Sequence, residues 1–100
     1  MSAYRLTRAA AADLEAIWDY TANTWSIAQA ETYTRLLKRA CEDLVAGRLL
    51  GTPIEDVRAG YRKALVGSHV LFVRSADDGV VEIVRILHQR MDIDRALQTD

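Results

Sequence analysis

The sequence predicts an α+β fold of two layers, in which a helical hairpin packs on one face of a small, mostly antiparallel sheet. Two observations carry this prediction. Apolar residues in the first half recur at the spacing of amphipathic helices, and the second half holds three runs of strand-forming residues separated by turn signals. The predicted element order is β-α-α-β-β-β. We expect one domain over residues 1–100, because a chain of this length rarely divides and still buries enough surface.

The first strand and the first helix follow from local patterns. Residues Ala3 to Leu6 alternate like a short strand, and Thr7 can cap the helix that follows. The stripe of this helix consists of Ala10, Leu14, Ile17, Trp18, Thr21 and Trp25. Both tryptophans are therefore predicted to pack in the core. The acidic residues predicted to face water are Asp13, Glu15 and Asp19.

A second helix is predicted to begin directly after Trp25. The stretch Ser26-Ile27-Ala28-Gln29 has the form of a capping box, and Gly47 can take the left-handed conformation that ends a helix. Two helices with so short a linker form an antiparallel hairpin. The segment from Arg48 to Asp56 contains the sole proline and has no clear period, so we interpret it as a crossover loop.

Three strands are predicted in the second half, over Val57–Val66, Val70–Ser75 and Val80–His88. The turn signals between them are Gly67-Ser68 and Ala76-Asp77-Asp78-Gly79. These features predict an antiparallel meander. Because the last run is apolar at both parities, we expect it to be a central strand covered on both faces.

Charge is distributed unevenly along the chain. The net charge of −1 argues against a generally basic nucleic-acid binder. Residues 57–76, in contrast, carry Arg58, Arg62, Lys63 and Arg74 with no acidic residue. With Arg85, His88 and Arg90 added, the ends of the second and last strands are predicted to present one basic surface. The alternative is an ordinary solvated face of a small domain.

The stretch Arg85–Asp92 concentrates the candidate functional groups. Arg85 lies between apolar neighbours in the predicted last strand. Its guanidinium therefore either extends beyond the apolar face of that strand or meets a carboxylate or a ligand. His69 is interpreted as a hydrogen-bonded structural histidine, whereas His88 is open between that and a functional role.

Several classes of function are disfavoured by the sequence. The single cysteine, Cys41, excludes an internal disulfide and is interpreted as a small core residue, which suits a reducing cytoplasm. Zinc spacing, a nucleophile elbow and a phosphate loop are absent from the sequence, so we expect no metal, no cofactor and no enzyme activity. No run approaches the roughly 18 apolar residues of a membrane span.

The sequence resembles the ParE toxins of the RelE/ParE superfamily, the toxin halves of type II toxin-antitoxin systems. The resemblance runs from Tyr4 to Asp92. The matching stretches are Tyr4-Arg5-Leu6-Thr7, Ala12-Asp13-Leu14, Ile17-Trp18-Asp19-Tyr20, Trp25, Gln29-Ala30-Glu31-Thr32-Tyr33, Gly60-Tyr61-Arg62, Gly67-Ser68-His69 and Val84-Arg85-Ile86-Leu87-His88-Gln89-Arg90-Met91-Asp92. Within the last of these, Leu87-His88-Gln89-Arg90-Met91-Asp92 is close to a ParE signature.

The resemblance implies the RelE/ParE-like β-α-α-β-β-β fold and a cytoplasmic toxin that blocks growth by binding DNA gyrase until a ParD-like antitoxin wraps it. Direct sequence-specific binding of nucleic acid is not expected. The expected gyrase contacts are Arg62, Arg85, His88, Gln89, Arg90, Met91 and Asp92. The expected antitoxin contacts are the exposed parts of Trp18, Tyr20, Trp25, Tyr33 and Leu37.

The alternative function is that of a RelE-like toxin, which cuts messenger RNA on the ribosome. Arg62, Arg85 and His88 can imitate part of such a site, because attack by a 2′-hydroxyl needs a proton acceptor and cations. However, a stacking tyrosine is missing after His88, and the chain is not strongly basic.

Overall fold

The computed structural model describes residues 4–90, which form two helices and five strands. Their bounds are β1 (Tyr4–Leu6), α1 (Arg8–Thr24), α2 (Ile27–Ala46), β2 (Thr52–Pro53), β3 (Tyr61–Val66), β4 (His69–Ser75) and β5 (Val81–His88). The sheet order is β1-β5-β4-β3-β2, with β1 parallel to β5 and the other pairs antiparallel. The predicted two-layer α+β architecture is confirmed. Ala3, Met91 and Asp92 lie outside the described residues.

The two helices begin where the sequence predicts, because each start has a side-chain cap. Thr7 Oγ1 accepts the Ala10 N–H at 3.0 Å, and Ser26 Oγ accepts the Gln29 N–H at 3.0 Å. The Thr7 hydroxyl also donates to the Val84 carbonyl at 2.7 Å. One residue therefore starts α1 and fastens it to β5. Helix α2 ends at Gly47, whose φ of 82° is the left-handed conformation.

The segment Arg48–Asp56 is not entirely a loop. Thr52 and Pro53 form the edge strand β2, opposite Lys63 and Arg62 of β3. A sheet edge tolerates proline because an edge strand needs to donate to a neighbour on one side only. The predicted crossover loop is wrong at these two residues.

The predicted strand Val57–Val66 begins too early. The N–H groups of Val57 and Arg58 both donate to the Ile54 carbonyl at 2.9 Å, which turns the chain back on itself before β3. Gly60, with φ of 79°, completes this turn. The β-branched residue at 57 thus reflects packing of Val57 against the apolar cluster below the sheet rather than strand pairing.

Strand β5 lies in the centre of the sheet and packs on both faces, as predicted. Ile83 and Ile86 belong to the core beneath the helices, whereas Val84 and Leu87 belong to a second cluster on the opposite face. The register shifts between Phe72 and Val73, so that Val84 is an extra residue with no opposite partner on β4. Packing on both faces explains why apolar residues occur at both parities, and the β-bulge explains why Ile83 and Ile86, an odd number of residues apart, share one face.

Two predictions about the first helix are wrong. Trp25 is 73% exposed, because it follows the last residue of α1 and has left the helical stripe. Asp13 does not face water but is half-buried against β5. Trp18 is half-buried, whereas Glu15 and Asp19 are exposed as expected.

A candidate functional site between the helical hairpin and the last strand

A cleft of about 580 Å³ opens between the helical hairpin, the turn joining β3 to β4, and the end of β5. We call it the hairpin cleft. It brings together five residues that the sequence singled out as contacts: Tyr20, Trp25, Tyr33, Arg85 and His88. Tyr20 is 68% exposed, so this residue and Trp25 form an aromatic rim.

Arg85 meets a carboxylate, which decides among the alternatives left open for it. Its Nε and Nη2 donate to Asp13 at 2.8 and 2.9 Å, and the Ile86 N–H donates to the same carboxylate at 2.9 Å. The two charged side chains are only 19% and 15% exposed. Arg85 therefore adds little net positive potential to the surface, because Asp13 neutralises it at close range.

The floor of the hairpin cleft is a cluster of one tyrosine and two histidines. Tyr33 Oη lies 2.6 Å from His69 Nδ1 and accepts the Ser68 N–H at 3.0 Å. The rings of His69 and His88 stand edge to face with centroids 5.3 Å apart. Burial, and then the neighbouring His88, lower the pKa of His69, while Asp13 opposes this shift. His69 is thus hydrogen-bonded, as predicted, and its lowered pKa favours the neutral ring.

The chain leaves the sheet through three residues: His88, the last residue of β5, and then Gln89 and Arg90. We call them the β5 tip. The Gln89 N–H donates to the Ser68 carbonyl at 3.0 Å, and the Arg90 N–H donates to His88 Nδ1 at 3.1 Å. Gln89 and Arg90 are exposed. The backbone of the tip is held while its long polar side chains remain available to a partner.

Arg62 does not lie near the β5 tip. Val66, not Arg62, stands level with His69 and His88 across the sheet, and four residues of β3 correspond to roughly 13 Å. Arg62 instead donates to the carbonyls of Leu50 and Gly51 at 2.9 and 3.1 Å, which fastens the loop before β2.

The predicted single basic surface does not form among residues 4–90. At the opposite end of the sheet, Glu82 binds Arg74 at 2.7 Å and Arg5 at 3.4 Å. Asp78 adds a second contact to Arg5 at 3.2 Å. Acidic side chains from other segments thus compensate arginines that stand in a basic stretch of sequence.

The remaining predicted contacts divide between a second groove and the core. Trp18 lines a groove of about 590 Å³ between α1 and α2, away from the hairpin cleft. Leu37 is 1% exposed and packs in the core, so its proposed role as an antitoxin contact is wrong: it offers a partner no surface.

Sequence reasoning missed Asp13 and Ser68 as members of the site. Asp13 stands one turn from Ile17 on the buried side of α1, and this helical position was the available signal. Ser68 acts through its backbone, so its side chain gave no signal. Among residues 4–90 no group of three or more His, Cys, Asp or Glu side chains can hold a metal ion, and no helix is long and apolar enough to cross a membrane.

Comparisons with known proteins agree with this geometry. Residues 4–93 match the family described as the ParE toxin of the type II toxin-antitoxin system parDE. The chain is 47% identical to Toxin ParE1 of Mycobacterium tuberculosis over 96% of its length and 98% of the relative's. It is 46% identical to Toxin ParE1 of Caulobacter vibrioides over 92% and 94% of the two chains.

A solved structure extends the comparison to the fold. A chain from the chromosomal ParDE toxin-antitoxin system of P. aeruginosa superposes with a TM-score of 0.73 and 26% identity, covering 88% of this chain and 96% of the other. The family match spans nearly the whole chain and includes every element of the sheet and hairpin. This chain belongs to the ParE toxin family of type II toxin-antitoxin systems.

Proposed function

We propose that this toxin acts by binding DNA gyrase through the β5 tip, with no bond-breaking of its own, and that a ParD-like antitoxin neutralises it. One observation carries the proposal for the target: Gln89 and Arg90 are exposed at the end of a central strand, and the backbone N–H of each is held by a hydrogen bond. Arginine is a frequent interface anchor, because its planar fork forms several hydrogen bonds at once. Met91 and Asp92, proposed as further contacts, lie outside the described residues.

The Arg85 and His69 side chains in the hairpin cleft have hydrogen-bond partners within the protein, which fits a binding mechanism better than catalysis. A ribonuclease would need cations to stabilise a phosphorane, yet of the two arginines expected for that role Arg85 is bound to Asp13 and Arg62 to the loop before β2. The His69 imidazole is held by Tyr33 at the cleft floor. The two neighbouring histidines are nevertheless the feature that favours the RelE-like alternative, so the experiment must include RNA.

We propose that the antitoxin occupies the aromatic rim of the hairpin cleft. Tyr20 and Trp25 leave large apolar surface exposed on a small domain, and such surface usually marks an interaction site. A tail that folds on binding can cover it with an amphipathic helix. The relative from P. aeruginosa comes from a ParDE system, which supports an antitoxin of the ParD type.

The target is tested with purified gyrase and with ribosomes. Wild type, Arg90→Ala and Arg39→Ala are compared in a gyrase supercoiling and DNA-cleavage assay, and each is also added to ribosomes loaded with messenger RNA. Arg39 is an exposed arginine on α2 and serves as the matched control. Loss of an interface anchor costs about 2 kcal/mol, so Arg90→Ala should act roughly thirtyfold more weakly while Arg39→Ala matches wild type.

Two results would overturn the proposal. Wild type that leaves gyrase untouched but cuts ribosome-bound message would make the histidines catalytic and favour the RelE-like function. Equal loss of activity in both arginine variants would show that only general charge matters, and not the β5 tip.

A further inference from the structure

The hydrogen bonds around Tyr33 connect α2 to the β5 tip. Tyr33 Oη accepts the N–H of Ser68, and the Ser68 carbonyl accepts the N–H of Gln89. Ser68 therefore bonds to Tyr33 through its N–H and to Gln89, the residue after β5, through its carbonyl. Through these two hydrogen bonds, the turn at Ser68 links helix α2 to the β5 tip.

A second route runs through the histidines. Tyr33 Oη lies 2.6 Å from His69 Nδ1 and 3.5 Å from the Val66 carbonyl, so His69 is its closer hydrogen-bond partner. His69 stands opposite His88 in the sheet, and His88 Nδ1 accepts the Arg90 N–H. Gln89 is thus held by Ser68, which Tyr33 contacts directly. Arg90 is held by His88, which lies against His69, the hydrogen-bond partner of Tyr33.

The turn between β3 and β4 has a glycine, Gly67, where the ring of Tyr33 packs against it. Gly67 has φ of 59°, and a Cβ there would stand 2.8 Å from both Cε1 and Oη of Tyr33. Only glycine leaves room for the ring against this turn. The contact is specific to this turn, because a Cβ at Gly79, in the other hairpin turn, would meet nothing within 4 Å.

We propose that the Tyr33 hydroxyl is a positioning group, which holds Gln89 and Arg90 in the orientation needed to dock on the target. This inference rests on the proposed gyrase function. It assigns Tyr33 a role separate from any contact of its ring with an antitoxin, because the ring faces the hairpin cleft while the hydroxyl is committed to Ser68 and His69.

The test removes one oxygen atom at each of two tyrosines. Tyr33→Phe keeps the ring and deletes the hydroxyl, and Tyr4→Phe makes the same change on β1, which pairs with the opposite end of β5. Amide hydrogen exchange of the free toxin is measured by NMR for Gln89, Arg90 and Ile86. Exchange at Gln89 and Arg90 should accelerate about tenfold in Tyr33→Phe only. Exchange at Ile86, whose N–H is held by Asp13, should not change.

A second pair of variants covers the case in which Tyr33→Phe folds poorly. Gly67→Ala pushes on the ring without deleting the hydroxyl, and Gly79→Ala imposes a similar left-handed strain, at φ of 81°, with no contact. Only Gly67→Ala should accelerate exchange at Gln89 and Arg90.

The gyrase assay then separates the inference from the proposed function. If wild type traps gyrase and at least about fivefold more Tyr33→Phe protein is needed for the same effect, the proposed function and the positioning role of Tyr33 are both supported. If wild type traps gyrase and Tyr33→Phe is equal to it, the positioning role is overturned and the function remains. If wild type has no effect on gyrase, the function fails, and with it the docking role assigned to the tip. Unchanged exchange at Gln89 and Arg90 in both Tyr33→Phe and Gly67→Ala overturns the inference whatever gyrase shows.

Discussion

Asp13 on α1 holds Arg85 on β5 through two nearly equal hydrogen bonds, of 2.8 and 2.9 Å, directly beside the β-bulge of that strand. The same carboxylate accepts the Ile86 N–H, so one side chain satisfies both the charge and the backbone of the irregular segment. A helix and a central strand are thereby fixed to each other at the wall of the hairpin cleft.

Removing this carboxylate should destabilise the fold. Asp13→Ala leaves the Arg85 guanidinium without its main counter-charge and the Ile86 N–H without an acceptor. Breaking a buried pair costs about 3–5 kcal/mol, and because these side chains retain some exposure we expect roughly 2–3 kcal/mol. The free energy of unfolding in urea measures the effect. Asp19→Ala, an exposed carboxylate on the same helix, should change it by less than about 0.5 kcal/mol; equal losses would contradict a structural role for the pair.

Two adjacent leucines on α2 should respond very differently to the same substitution. Leu37 is 1% exposed and Leu36 is 46% exposed. Leu37→Ala should lower the free energy of unfolding by about 3 kcal/mol through lost burial and a cavity, and Leu36→Ala by less than about 1 kcal/mol. Chemical denaturation of both variants gives the comparison. A small effect at Leu37 would mean that it does not belong to the core.

Stability should fall as the solution becomes mildly acidic. The pKa of His69 lies below its usual 6.5 because burial and His88 disfavour the charged ring, with Asp13 acting in the opposite sense. As pH falls from about 6.5 through the lower native pKa, the unfolded chain binds the proton first, so folding stability decreases. Denaturant unfolding at about pH 5.5 and 7.5 measures the difference. In His69→Gln this difference should become smaller, because the group that takes up the proton is gone; an unaltered difference would place the dependence on other groups.

Trp25 should contribute to antitoxin affinity without contributing much to stability. It is 73% exposed at the rim of the hairpin cleft, and buried aromatic anchors typically contribute about 2 kcal/mol to an interface. Trp25→Ala should weaken binding of a ParD-type antitoxin, the partner proposed above, roughly thirtyfold, as measured by calorimetry. Leu65→Ala removes a similarly exposed apolar side chain, 64% exposed, on β3 and should bind like wild type. Equal affinity of both variants would exclude the rim as the docking surface.

Helix starts were predictable because their signals are local. Thr7 and Ser26 cap the turn that immediately follows them, and no distant residue is needed to complete either hydrogen bond. The strand β2 and the bulge at Val84 depend instead on the register with a neighbouring strand, β3 for β2 and β4 for the bulge. Sequence periodicity carries no information on such partners until the sheet order is known.

The residues that line the hairpin cleft were predictable in part from the sequence, whereas its electrostatics were not. Arg85 and His88 do meet at the hairpin cleft, as the last strand suggested. The sequence could not show that Asp13, 72 positions away, would neutralise Arg85, or that Glu82 would compensate Arg74 across the sheet. The fold brings acidic side chains next to these arginines, so the number of basic residues in a stretch of sequence overstates the positive charge of the surface.

The brevity of β2 protects this small sheet from unwanted association. Of its two residues, Thr52 and Pro53, only the threonine has an amide hydrogen, and β1 at the other edge has three residues within the part of the chain that the structure describes. Exposed edges of greater length offer a template on which further strands, including those of identical chains, can add and begin to aggregate. We infer that this toxin can expose an adhesive aromatic rim on one side because both borders of its sheet are poor templates for polymer growth.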